Sequence, residues 1–205
     1  MDIMYTKDLS NSYFINKKII GFKGEINDLK TILKGLEEMQ FNPSKTVRSY
    51  TPQGEDYLKA LGLKQSILDI KIAALASTDL KLIKLIGAIL LKPKIIILNN
   101  IDIGINNRIN NRLSRFIKTM NQTFEIKFIV ISKDPLFLNS ISKEVLIMKN
   151  GIIKYQGDLM VAIKQNIVDK PPIIQMIDMI NEKNGKIDYI LEDKELLKAI
   201  YRSIN

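Results

Sequence analysis

A chain of 205 residues with 46% hydrophobic and 26% charged side chains can bury a core, which excludes a disordered polymer and sets the scale at one large domain or a domain with a small appendage. It has no Cys and no His, so a disulfide framework is impossible and the commonest general base and metal ligand is missing. The net charge of +9 comes from scattered lysines, with no block of five like charges and no basic, aromatic-interleaved stretch, a pattern of solvated surface rather than of a nucleic-acid groove.

The most apolar helical stretch, Leu85 to Leu91, is bracketed by Lys84 and Lys92 and falls far short of the roughly 20 residues a bilayer crossing needs. Met1-Asp2-Ile3-Met4 shows no basic segment followed by an apolar one, so no secretory signal is expected and the chain reads as cytoplasmic.

Periodicity predicts alternating elements. Lys18 to Phe22 is a short apolar strand, followed by a helix over about Asn27 to Met39. Thr46 to Thr51 alternates like a strand and breaks at Pro52-Gln53-Gly54. Helical segments follow at Glu55 to Leu61, Gln65 to Ala74 and Asp79 to Leu91. Ile95 to Leu98 is a continuous β-branched and aliphatic run, as expected of a parallel strand buried on both faces, and Lys127 to Ile131 is a second. Helices are expected at Ile105 to Met120 and Pro135 to Ser142. Val145 to Lys149 and Ile152 to Gln156 are strands joined at Asn150-Gly151, a strong hairpin signal. A helix follows Gly157, and Pro171-Pro172 marks a boundary. The tail then reads as helix Ile174 to Glu182, strand Ile187 to Leu191 and helix Lys194 to Ser203. Strands alternating with helices imply right-handed βαβ units and a mainly parallel α/β sheet.

Lys92 to Gly157 carries the most specific pattern: Pro93-Lys94-Ile95-Ile96-Ile97-Leu98-Asn99-Asn100-Ile101-Asp102, then a helix, then Ile129-Val130-Ile131-Ser132-Lys133-Asp134, then Val145 to Gly151. This resembles, in order, the Walker B strand, switch strand and final hairpin of ATP-binding-cassette (ABC) ATPases. Upstream, Gly24-Glu25-Ile26-Asn27-Asp28-Leu29-Lys30-Thr31 has the spacing of a phosphate loop, with Leu29 where the second glycine belongs. The same residues also read as a helix start, with Asn27 and Asp28 as caps and Lys30 on the exposed face. Tyr50-Thr51-Pro52-Gln53 resembles the Q-loop, and a plain turn fits it equally. Leu75-Ala76-Ser77-Thr78-Asp79 stands at the signature position, where Ser77, Thr78 or Asp79 can cap the next helix. Tyr13 is a candidate adenine-stacking aromatic.

The resemblance spans roughly Asp8 to Asp158 and implies a P-loop NTPase fold of the ABC type, with a reduced antiparallel β-subdomain and a shortened helical subdomain. It divides the chain into a core over 1–158, with the helical subdomain at about 54–92, and a C-terminal α/β appendage over 159–205. It implies ATP with Mg²⁺ as cofactor, resting on Gly24, Lys30 and Thr31, with the Thr31 hydroxyl on the metal and Gln53 on the γ-phosphate side. Leu29, Glu25 and Asp28 argue against tight binding there. The chemistry departs further. Asn99 replaces the Asp of the Mg²⁺ shell, Asn100 the Glu that polarises water, Lys133 the switch His, and Asn106 the D-loop Asp. An amide cannot act as a base, and losing a positioned base costs about 10²–10⁴ in rate. The expectation is a degenerate ABC-transporter ATP-binding subunit lacking hydrolysis, dimerising with itself or with an active ABC ATPase, and held by an integral membrane permease at the inner face of the membrane. The alternative is a stand-alone binding or regulatory scaffold with no nucleotide site.

Overall fold

The computed structural model describes residues 3–8, 19–183 and 185–204. The Tyr13 reading and the first residue of the Lys18–Phe22 strand lie outside them.

Seven strands form one sheet: β1 (Ile3–Thr6), β2 (Ile19–Lys23), β3 (Glu37–Glu38), β4 (Ile95–Asn99), β5 (Lys127–Ile131), β6 (Glu144–Lys149) and β7 (Ile152–Asp158). Their spatial order is β3-β1-β4-β5-β2-β6-β7. The four central strands β4, β5, β2 and β6 are mutually parallel, and antiparallel pairs flank them on both sides. The helices are α1 (Ile26–Ile32), α2 (Glu55–Leu61), α3 (Ser77–Leu90), α4 (Asn107–Phe124), α5 (Pro135–Ile141), α6 (Leu159–Lys164), α7 (Pro172–Glu182) and α8 (Asp193–Ile204).

The sheet divides the core unequally. Along β4, Ile96 and Leu98 point to one face while Ile95 and Ile97 point to the other; along β5, Phe128 and Val130 alternate with Ile129 and Ile131. This is the period-2 geometry of a strand covered on both sides. The large face collects buried residues from α2 through α8, among them Leu58, Leu82, Phe116, Leu138, Ile163, Ile174 and Leu196. The small face holds Ile20, Phe22, Leu146 and Met148, and among the described helices only α1 covers it, through Leu29.

Several expected elements differ. The helix over 27–39 stops at Ile32, because Gly35 turns the chain through a left-handed φ of 62° and Glu37–Glu38 then pairs with β1. β1 itself carries no sequence signal beyond four residues, yet it zips antiparallel along β4 from Ile3↔Leu98 to Thr6↔Ile95. Thr46–Thr51 is not a strand. Val47–Ser49 coils as a 3₁₀ turn, and the Thr51 hydroxyl donates to the Val47 carbonyl at 3.1 Å. The helical stretch expected over Gln65–Ala74 is two separate 3₁₀ turns, Gln65–Asp69 and Ile72–Ala74. The Ile187–Leu191 strand of the tail does not form. The Asn181 carboxamide accepts from the Ile187 N–H at 2.9 Å and donates to its carbonyl at 2.8 Å, taking the backbone bonds a sheet neighbour would make. The appendage is therefore helix, extended loop and helix rather than α/β.

A polar clasp fastens this tail. Lys170 donates to Asp178 at 2.8 Å and to the Tyr189 hydroxyl at 2.9 Å, and Tyr189 in turn donates to Asp178. The Lys170 ammonium, and then the Tyr189 hydroxyl, hold the Asp178 carboxyl below its usual range. Asp178 first and Tyr189 second push Lys170 up to about 12. The depressed acid contributes stability above the ordinary carboxylate range and loses it as pH falls through the lowered value. The raised base contributes below its ordinary 10.5 and loses it as pH rises through about 12. The clasp's own contribution should therefore be constant between these limits, and Asp178→Asn should flatten the acid limb of melting temperature against pH. Phe128→Ala, which empties the centre of the large face, should cost about 3–5 kcal/mol in urea unfolding.

Candidate functional site at the carboxyl edge of the sheet

Parallel strands bring their carboxyl ends to one edge, and open α/β sheets bind ligands outside that edge. Phe22 of β2, Ile131 of β5 and Asn99 of β4 lie in one row, since Phe22 pairs with Ile131 and Ile131 with Asn99. Gly24, Asn99, Asn100 and Lys133 therefore all emerge at this edge, although they are far apart in sequence. Lys30 and Thr31 follow on α1, and Gln53 stands in a left-handed turn (φ 61°) just before α2.

The segment after β2 makes no phosphate cradle. Such a cradle needs successive backbone N–H groups pointing into an open loop. Here α1 begins two residues beyond Gly24, and two N–H groups at its start are already taken. The Glu25 N–H donates to Asp28 Oδ2 at 3.0 Å, and the Asp28 N–H to the Glu25 carbonyl at 3.0 Å. Asp28 Oδ1 accepts from the Gly151 N–H at 2.7 Å, tying α1 to the β6–β7 hairpin. The Thr31 hydroxyl donates to the Asp28 carbonyl at 2.6 Å, the usual commitment of a hydroxyl inside a helix, rather than facing a metal. Leu29 is fully buried in the small-face core. Gly24 is glycine for packing: a Cβ there would sit 2.9 Å from the Met148 carbonyl and from the Phe22 ring. Lys30 is exposed. A carboxylate thus stands where a triphosphate would lie, and these residues do not fit ATP with Mg²⁺ as a bound group.

The tip of β4 is equally self-contained. Asn100 takes a left-handed φ of 53° and donates its backbone N–H to the Ile131 carbonyl at 2.9 Å. Its carboxamide donates to Asn99 Oδ1 at 3.0 Å, so the two amides bond to each other. Lys133 is exposed, whereas its neighbour Ser132 is buried and donates to Asp102 Oδ2 at 2.8 Å. Asp102 is the acid that sequence reasoning passed over. Its Oδ1 is enclosed without a hydrogen-bond donor. Burial raises its carboxyl above the usual range, outweighing the Ser132 bond that lowers it. A run ending Asn-Asn-Ile-Asp offers no clue that the last residue folds back onto the switch strand. The signature-like segment serves the same local structure. Thr78 donates to the Gly104 carbonyl at 3.3 Å and the Lys81 ammonium to the Ile103 carbonyl. Asn106 caps α4 by accepting from the Ile109 N–H. Among the described residues no group of three or more Asp or Glu side chains could hold a metal ion.

Comparison with known proteins finds similarity to ATP-binding cassettes in sequence and in fold. No protein-family model matches the chain. Over 129 residues it is 26% identical to the nickel import ATP-binding protein NikE of Shigella flexneri, covering 62% of this chain and 48% of that protein. The chain thus spans about half the length of the curated relatives it matches. In fold it is similar to the ATP-binding cassette MJ0796, solved as a post-hydrolysis dimer bound to ADP and Pi, with a TM-score of 0.57 at 10% identity over 69% of this chain and 85% of that one. A structure described as that of a cobalt transport ATP-binding protein aligns with a TM-score of 0.54 at 16% identity over 71% of this chain and 70% of its own. The fold is that of the ABC cassette.

Two substitutions test this arrangement. Asp28→Ala leaves the Gly151 and Glu25 N–H groups without their acceptor and should cost about 1–3 kcal/mol in denaturant unfolding. Asp102 has a raised pKa, so its contribution is present at low pH and is lost as pH rises through the raised value. Asp102→Asn removes that ionisation cost, and its melting temperature at neutral pH should equal or exceed that of the unsubstituted chain, whereas Ser132→Ala should melt lower.

Proposed function

We propose that this chain, which has the fold and motif order of an ABC-transporter ATP-binding cassette, is a cassette that does not hydrolyse ATP and serves a membrane permease as a structural or regulatory subunit. The observation that carries the reading is the mutual hydrogen bond of Asn99 and Asn100, at the place where the family's resemblance puts a metal-shell acid and a water-polarising acid. Neither amide can take a proton from water, and the pair spends its polarity on itself. Asp28 adds a second obstacle, because its carboxylate already holds the Glu25 and Gly151 N–H groups and would repel a phosphate.

The scaffold suits attachment rather than turnover. Among the described residues no helix is long and apolar enough to cross a membrane, so attachment runs through a partner, at the inner face of the membrane. The chain pairs with itself or with an active ABC ATPase, and its 3₁₀ turns and α2 form the surface offered to the permease. A second reading, a scaffold without a permease, is favoured by the small size of that region, where α2 has seven residues and the rest up to α3 is two 3₁₀ turns. Affinity purification from solubilised membranes separates the two, since only the first brings down an integral membrane protein.

The direct test is phosphate release together with calorimetric Mg-ATP titration. Release should not exceed the buffer rate, and the Asn99→Asp/Asn100→Glu double variant should stay inactive because α1 still lacks a cradle. Any ATP affinity that is measured should be unchanged by Lys30→Ala. Micromolar binding abolished by Lys30→Ala, or turnover by the unsubstituted chain, would overturn the proposal.

A further inference from the structure

The scattered positive charge of the sequence is gathered in one place by the fold. A cleft of about 660 Å³ opens between α4, α5 and the segment that leads into α8. That volume is within the range of small-molecule sites, about 300–1,000 Å³. One wall is a stripe of α4: Asn107, Asn110, Asn111, Ser114, Arg115 and Lys118. Their spacing of three and four residues places them on one face of the helix, next to the face that buries Leu113, Phe116 and Ile117. The floor is a contact of two hydroxyls, Ser114 Oγ and Ser140 Oγ at 2.7 Å.

Four cations line the cleft: Arg115 and Lys118 on α4, Lys143 after α5, and Lys194 at the start of α8. Among the described residues none of the four makes an ion pair. Two acids also line it. Asp134 accepts from the Leu136 N–H at 2.9 Å as the cap of α5, and Glu192 stands on the tail. The lining therefore carries two more positive than negative charges. Like charges held around one concavity without partners raise the local concentration of anions. The carboxamides of Asn107, Asn110 and Asn111 add neutral donors and acceptors to the lining.

We infer that this cleft is a binding site for a phosphorylated small molecule bearing hydroxyl or amino donors, of the size of a nucleoside monophosphate or a sugar phosphate. The phosphate meets Arg115 and Lys118, where the guanidinium offers two parallel N–H bonds. The hydroxyl or amino group bonds to the carboxamides that line the cleft, Asn107, Asn110 and Asn111. Apolar contact comes from Leu136, Phe137 and Leu191. The site lies along α4, apart from Lys30 and the segment after β2, and does not depend on whether the chain serves a permease.

The test is thermal denaturation of the full chain, titrated separately with AMP, glucose 6-phosphate and potassium sulfate at matched ionic strength. AMP or glucose 6-phosphate should raise the melting temperature in a saturable way, as expected of a ligand that binds only the folded state. Sulfate should raise it less at equal concentration. Arg115→Ala/Lys118→Ala, both at exposed positions, should weaken the midpoint about tenfold or more. Lys30→Ala should leave it unchanged. Circular dichroism of the double variant establishes that it folds, and Asn110→Ala gives a second, milder loss. The inference is overturned if neither phosphorylated probe stabilises the chain, if sulfate matches them, or if the effect survives in the folded double variant.

Discussion

Everything at the functional edge hangs on one strand. Lys127–Ile131 is hydrogen-bonded along both edges, to β2 on one side and β4 on the other, and its side chains are buried on both faces. Two sequence segments that never pair with each other are thereby held in register through a third. Phe22, Ile131 and Asn99 share a row, so the residues just beyond them must emerge together. Parallel ladders of this kind are built from non-local contacts, and no local propensity can replace the central strand. The alignment of this edge thus depends on Phe128 through Ile131 rather than on the side chains at the strand tips.

The replacements at the tips also make electrostatic sense. An edge with carboxylates at residues 99 and 100, next to Asp102 and Asp28, would concentrate negative charge that only a bound cation could offset. Amides at Asn99 and Asn100 remove that requirement, since they can bond to each other. Asp28 follows the same logic in reverse. Backbone N–H groups at the start of α1 and in the hairpin turn favour an anion, and the chain supplies one from its own side chain. The carboxylate of Asp28 thus takes the electrostatic role of a ligand and turns a loop into a clasp between α1 and β6–β7.

How far the sequence disclosed this depended on how local each signal was. Ile95–Leu98 and Lys127–Ile131 were legible because strands buried on two faces leave continuous apolar runs, and Asn150-Gly151 because both residues take left-handed backbone, φ 55° and 73°. Ile3–Thr6 was not, since its partner lies about 90 residues away and nothing in four residues announces it. Ile187–Leu191 misled for the opposite reason. Its alternation is real, but one side chain, Asn181, answers the backbone that a strand would have offered to a sheet. At the edge, the replacement of acids by amides could be read directly. The use of Asp28 and Asp102 could not, because each acts across a turn of chain that only the fold brings close. The same holds for the charge, which is scattered in sequence and converges on one cleft along α4.

The unequal covering of the sheet sets how the molecule opens. On the large face α4 packs among six other described helices over β5, and the amides of both elements should open only with the whole domain. On the small face a single seven-residue helix closes over Phe22 and Leu146 among the described residues, fastened at its start by the carboxylate of Asp28. Lifting α1 disturbs only the smaller of the two cores, so it should be the cheapest sub-global opening available to the fold. Under hydrogen exchange the amides of Leu29 to Leu33 should lose protection long before those of Phe128 to Ile131. The small face is thus the one most ready to breathe.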